Sequence, residues 1–149
     1  MHWADELHLL LLRLSGLINR PDIDERLLAD AGIELERALF PLLSRIGVFG
    51  PISVVELAAQ AGRDHSTVSR QVERLEELGL VERRPSLSDR RVRLLAPTSK
   101  GHEILKRLAK VRRKKIKARL ADFTDTERDQ LIELLRRFSA DEQGPRQPE

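Results

Sequence analysis

No cysteine occurs in the 149 residues, which rules out a disulfide framework, thiolate metal ligation and thiol-based redox sensing. Aromatic side chains make up 3% of the chain and tyrosine is absent, so the stacking platforms of single-strand and RNA binders are missing. No apolar run suits a bilayer: "LHLLLLRLSGL" is broken by Arg13 and preceded by Asp5 and Glu6, where a signal peptide carries positive charge. The expectation is a cytoplasmic protein with no membrane partner. His2, His8, His65 and His102 are scattered without the spacing of a helical metal site. No metal is expected unless histidines meet across a dimer. No serine sits in a nucleophile elbow, no glycine-rich phosphate loop appears, and the carboxylate pairs fall on charged helix faces. The reading is a non-enzyme without a cofactor.

What the chain has instead is charge, unevenly placed. Charged residues are 34% and the formal net charge is +3, but that total hides an asymmetry. Residues 1–50 sum to −3, 51–95 to +1, 96–121 to +9 and 122–149 to −4. Acidic ends flank a basic middle. No internal repeat appears, and only "DEQGPRQPE" reads as a disordered tail.

Apolar periodicity predicts a mainly helical chain. Leu7, Leu10, Leu11, Leu14 and Leu17 form one face of a first helix, which Leu9, Leu12 and Ile18 widen beyond a single stripe. A short helix in "DIDERLLADAG" ends at Gly32, and "ELERALFPLLSRIG" reads as a helix ending at Gly47. Pro41 lies inside the latter pattern and is expected to kink it, leaving the Arg37 carbonyl without its usual donor.

"SVVELAAQAG" opens with a capping box, Ser53 with Glu56, and closes at Gly62. A second helix follows at once, N-capped by Asp64, with Val68, Val72, Leu75 and Leu78 inward and Gly79 at its end. Two short helices joined by a tight turn make a helix-turn-helix. The outward positions of the second helix are His65, Ser66, Thr67, Ser69, Arg70 and Arg74, small hydroxyls and guanidiniums that suit base edges and phosphates in a major groove. An ordinary solvated face is the plainer account of that helix taken alone.

Directly after Gly79, "LVERR" and "RVRLLA" alternate as two strands around "PSLSDR", a hairpin beside the helix-turn-helix. That is a winged helix. Arg83, Arg84, Arg90, Arg91 and Arg93 sit on or near its tip with Ser86 and Ser88, and an arginine on a narrow ribbon can enter a minor groove. Asp89 looks out of place beside phosphates; its expected role is to orient the Arg91 guanidinium.

The stretch "ISVVELAAQAGRDHSTVSRQVERLEELGLVERRPSLSDRRVRLLAPTSKGHEIL" resembles the MarR family of bacterial transcriptional regulators. The resemblance is carried by the recognition helix, the "GLVERR" exit, Asp89-Arg90-Arg91 in the wing, and "TSKG" opening the next helix. It runs from about residue 35 to 105 and implies a homodimer on pseudo-palindromic double-stranded DNA, usually a repressor, often released by a small phenolic or other anionic effector. Carried over by position, Ser66 to Arg74 would read the major groove, Ser53 would sit near the DNA backbone and Arg91 would enter the minor groove. Pro97 and Pro41 depart from the family pattern, the second beside the family's ligand pocket. No ligand-binding residue is named.

Independently of the resemblance, the remaining helices carry surplus apolar surface. Residues 99–123 read as one long helix with Ile104, Leu108, Val111, Ile116 and Leu120 on its apolar side. A last helix opens with a capping box, Thr124 with Glu127, and has a stripe of Leu131, Leu134, Leu135 and Phe138. More apolar surface than one small domain needs favours a symmetric interface of helices from two chains. The run "VRRKKIKAR" lies well past the wing and is read as charge-paired within the dimer or solvated, with added phosphate contact as the alternative.

The expected organisation is therefore a mainly α fold with a small β-hairpin wing (α+β). Residues 1–32 and 98–140 supply dimerisation helices, 33–97 the winged helix-turn-helix, and 141–149 a disordered tail. The candidate DNA-binding residues are Ser53, His65, Ser66, Thr67, Ser69, Arg70, Arg74, Arg84, Ser88, Asp89, Arg90 and Arg91. The alternative function is an architectural protein binding duplex DNA with little sequence preference. A winged helix used to dock another protein would carry apolar anchors on the exposed helix face, and this one lacks them.

Overall fold

The computed structural model describes residues 1–18 and 20–140; the tail at 141–149 lies outside the described residues. Among the described residues, seven α-helices and one hairpin follow in the order α1 (Trp3–Ile18), α2 (Pro21–Asp30), α3 (Phe40–Phe49), α4 (Val54–Ala61), α5 (His65–Glu77), β1 (Val81–Pro85), β2 (Arg93–Pro97), α6 (Ser99–Arg119) and α7 (Asp125–Ala140). The mainly helical fold with its two-stranded wing is as the sequence predicts. Among the described residues no helix is long and apolar enough to cross a membrane.

The chain divides into two compact units, Met1–Arg112 and the part from Arg113 onward. In the first, the main core joins Leu39, Leu42, Leu43 and Ile46 of the α3 region to Leu57 of α4, Val68, Val72 and Leu75 of α5, and Leu95 of β2. Each is at most 2% exposed, so three helices and the wing root share one apolar interior whose burial drives the fold. A second cluster packs Leu27, Leu28, Ile33 and Phe40 around Leu108 of α6. The second unit contains α7, which has no buried residue and exposes Leu134, Leu135 and Phe138 by about half. In the first unit α1 likewise buries nothing and leaves Leu7, Leu9, Leu10, Leu12, Leu14 and Ile18 exposed.

The expected kink at Pro41 is absent, because the helix begins at Phe40 rather than at residue 35. Arg37–Leu39 form a 3-10 turn, and the Phe40 N–H donates to the Arg37 carbonyl that was to be orphaned. Pro41 falls in the first turn, where no N–H is needed and its fixed φ suits helix entry. Gly47 does not stop this helix either: α3 runs on to Phe49. A Cβ on Gly47 would lie 2.6 Å from Leu105 Cδ1, so the glycine admits α6 rather than ending α3. At the other end, α6 closes at Arg119, short of the expected Phe123.

The wing strands are antiparallel, pairing Val81 with Pro97 through Pro85 with Arg93. Arg91 and Val92 therefore lie in the loop, outside the strand read from the sequence. Ile52 adds a bridge to Leu95, the Ile52 N–H donating to the Leu95 carbonyl at 3.1 Å and the Ile52 carbonyl accepting the Leu95 N–H at 2.7 Å. The root of the wing is thus pinned in the core while its outer end stands in solvent. Behind it, the Thr98 hydroxyl donates to the Gly79 carbonyl at 2.5 Å and accepts the Gly101 N–H at 3.1 Å. One threonine thereby joins the exit of α5 to the entry of α6.

Candidate nucleic-acid interface

Two surfaces project from the first unit, the start of α5 and the tip of the wing. Asp64 caps α5, its carboxylate accepting the Thr67 N–H at 3.1 Å and the hydroxyls of Ser66 and Thr67 at 2.6 Å each. These bonds hold its carboxyl well below the usual carboxylate range, the Ser66 and Thr67 hydroxyls being the largest causes. The two hydroxyls therefore face the cap, and their lone pairs remain to accept. His65 and Arg70 are exposed and Ser69 is half-buried, while Val68 and Val72 face the core.

The wing loop is an ordered turn. Ser86 N–H donates to the Val92 carbonyl at 2.9 Å, Val92 N–H to the Asp89 carbonyl at 3.0 Å, and the Ser86 and Ser88 hydroxyls lie 3.0 Å apart. Asp89 Oδ1 accepts the backbone N–H of Arg91 at 3.0 Å. The carboxylate shapes the main chain that carries Arg91 instead of gripping its guanidinium, contrary to the sequence reading. A short acid two residues before an N–H closes this turn locally.

The arginines fall into two groups. Arg74 donates to Glu36 at 3.0 Å and to Glu77 at 3.3 Å, which raises its pKa, Glu36 contributing most. Arg83 pairs with Glu76 of α5 at 2.7 Å, tying the wing to the helix, and Arg84 pairs with Glu82. Arg63 bonds the Ala38 carbonyl and Gln71 Oε1, both at 2.9 Å, and fastens the turn of the helix-turn-helix. Among the described residues, Arg70, Arg90, Arg91 and Arg93 make no ion pair and are exposed.

This arrangement matches known proteins. The model of the MarR family covers residues 35–92. Over 105 residues, 70% of this chain and 73% of the relative, the sequence is 36% identical to the uncharacterised HTH-type transcriptional regulator YxaD of Bacillus subtilis. The crystal structure of MarR superposes with a TM-score of 0.68 at 31% identity, over 88% of this chain and 89% of that one. The chain belongs to the MarR family. It is a transcriptional regulator and not an enzyme. A MarR-family regulator of Listeria monocytogenes, solved with a 26-mer DNA, is 25% identical with a TM-score of 0.67, over 87% of each chain.

Within this MarR-family fold, the residues singled out from the sequence fall on three elements. Ser53 is the N-cap of α4 and accepts the Glu56 N–H at 3.1 Å. His65, Ser66, Thr67, Ser69, Arg70 and Arg74 are on α5. Arg84 is in β1, with Ser88, Asp89, Arg90 and Arg91 in the loop after it. What the sequence reading missed are the carboxylates. Glu77 lies three residues from Arg74, and Glu82 two from Arg84 on one face of a strand, so both were legible as local pairs. Glu36, 38 residues from Arg74, had no local signal.

A cavity of about 270 Å³ lies between α3 and the first part of α6, lined by Ser44, Gly47, Val48, His102, Leu105, Lys106, Ala109 and Arg112. Among the described residues, the buried Ser44 Oγ has no hydrogen-bond partner.

The Asp64 cap has a pH signature. Its folded-state pKa is depressed from 3.8, so its contribution to stability is complete above that value and shrinks as the pH falls below it. Asp64→Ala is expected to lower the melting temperature at pH 7, and Asp64→Asn to retain most of it, because asparagine also caps. The deficit of Asp64→Ala should narrow in melts taken from pH 4 downward; a constant deficit would detach the cap from the carboxylate's charge.

Proposed function

We propose that this regulator acts as a homodimeric repressor on pseudo-palindromic duplex DNA, placing α5 of each protomer in successive major grooves about 10 bp apart with the wings in the flanking minor grooves. The observation that carries the reading is the polar, unanchored start of α5 beside a wing whose Arg90 and Arg91 make no ion pair among the described residues. His65, Ser66, Ser69 and Arg70 supply donors and acceptors for base edges; Arg91 suits a narrow groove. The DNA bound to the Listeria relative supports the same use of the fold.

Dimerisation is supported by α1 and by α7, each of which leaves its apolar face exposed. Faces of that kind are covered by helices of a second copy in symmetric oligomers. Repression follows sterically, since a dimer covering two turns of promoter DNA denies that DNA to polymerase. The cavity beside α6 suits a small effector: Val48, Leu105 and Ala109 offer apolar contact, Ser44 a hydroxyl without a partner among the described residues, and Lys106 and Arg112 positive charge for an anionic group. Because α6 starts at the wing root, an occupant there bears on the element that carries the wing.

The test is selection of sheared genomic DNA on the purified protein near physiological salt, followed by sequencing. Enriched promoter fragments sharing an inverted repeat, with half-sites about one helical turn apart, are expected. Retention without any shared motif would replace this reading with the architectural one.

A further inference from the structure

We infer that Glu36 and Glu77 set DNA specificity by holding Arg74 away from phosphate, so that α5 does not grip duplex DNA indiscriminately. The inference rests on the reading of α5 as the DNA-contacting helix. Arginines beside duplex DNA add to the sequence-independent part of binding, since each phosphate they neutralise releases counterions. A genome offers a large excess of non-specific sites, so a contact that strengthens non-specific binding more than operator binding lowers the fraction of protein on its operator. Arginines that serve specificity need to be available to bases, and those that do not are best occupied.

The guanidiniums on this face divide in that way. Arg70 at the exposed start of α5 and Arg90 and Arg91 on the wing make no ion pair among the described residues. Arg74, one turn further along α5, is held by two carboxylates at 3.0 and 3.3 Å. The trio of one cation and two anions is net negative, and a phosphate that displaced the carboxylates would leave both beside it, uncompensated. Glu36 reaches Arg74 from the residue preceding the 3-10 turn, 38 positions away in the chain. That turn is anchored by the core through Leu39, so the carboxylate is carried by the fold rather than by the same helix. Each exposed pair is weak alone. Two on one guanidinium, with repulsion of phosphate added, are enough to bias where it points.

The test uses the full chain and a random-sequence 30-bp duplex, with affinity measured by anisotropy across a salt series. The double variant Glu36→Gln with Glu77→Gln keeps the side-chain shapes and removes both charges. A control with the same gain of charge, Glu103→Gln with Asp122→Asn, alters exposed acids outside α5 and the wing. The expected result is that the double variant binds random duplex about fivefold more tightly than the control at low salt. Its plot of log K against log salt should be steeper by about one unit, for one further phosphate contact. On the selected operator the gain should be smaller, so the specificity ratio falls. An affinity and slope equal to those of the control overturn the inference. Should the double variant melt below the assay temperature, each single variant is expected to show the same change at a smaller size, and its absence overturns the inference equally. If the unaltered protein binds no duplex even at low salt, the reading of α5 itself falls.

Discussion

Replacing Gly101 with alanine is expected to cost on the order of 3 kcal/mol of folding stability, since a rigid backbone atom stands where the new carbon would go. A Cβ at this position would lie 2.1 Å from the Leu80 carbonyl oxygen and 3.3 Å from Pro97 Cβ. Neither neighbour can yield. Leu80 is 2% exposed and leads into β1, while its carbonyl accepts the Thr98 N–H at 3.1 Å. Moving α6 instead would break the Thr98 bonds to Gly79 and Gly101, and the 3.1 Å bond from Lys100 Nζ to the Leu78 carbonyl. For a chain of this size the loss corresponds to a melting temperature lower by roughly 6 to 12 °C. Gly16→Ala is the control: nothing lies within 4 Å of the added carbon, and alanine in a helix interior is favoured by about 0.5–1 kcal/mol. An unchanged melt for Gly101→Ala would mean that α6 slides freely on the wing root, and the junction would then be too loose to pass any effect from the cavity to the wing.

That junction also shows where the sequence was legible. The caps are local, a side chain meeting an N–H three residues on, and Ser53, Asp64 and Thr124 all occupy the positions read from the sequence. Core positions of α5 were equally plain, because a period of 3.6 with Val68, Val72 and Leu75 has one sensible buried side. The stretch from Leu35 to Ile46 misleads for the same reason. Apolar spacing continues through the 3-10 turn into α3, and periodicity does not distinguish the two geometries; Pro41 marked the true start. Gly47 reads locally as a stop although Val48 and Phe49 extend the helix, and the reason for glycine there, the approach of Leu105, is tertiary. Contacts such as Glu36 with Arg74 depend on two elements meeting, which no window of sequence contains. The cap at Asp64 takes the protons of the Ser66 and Thr67 hydroxyls, so either could meet DNA only as an acceptor.

For DNA binding the largest expected loss is at the wing. Arg91→Ala should weaken operator binding by about 1–3 kcal/mol per wing if the guanidinium enters the minor groove. Lys114→Ala, in the exposed basic stretch of α6, should change little. Equal losses would assign the basic stretch to phosphate contact after all. The turn around Asp89 sharpens the argument, because its carboxylate has two separable roles. It accepts the Arg91 N–H at 3.0 Å, which asparagine reproduces, and it places negative charge near phosphate, which asparagine removes. With the contact on the main chain, Asp89→Ala should loosen the loop and weaken binding, whereas Asp89→Asn should bind as well as the parent or more tightly. If both variants weaken binding alike, the charge itself is needed and the carboxylate must reach the guanidinium once DNA is present. If both bind more tightly, the turn needs no acceptor there and Asp89 acts against DNA affinity alone. Only the split between alanine and asparagine identifies Asp89 as the residue that presents Arg91 by fixing its backbone.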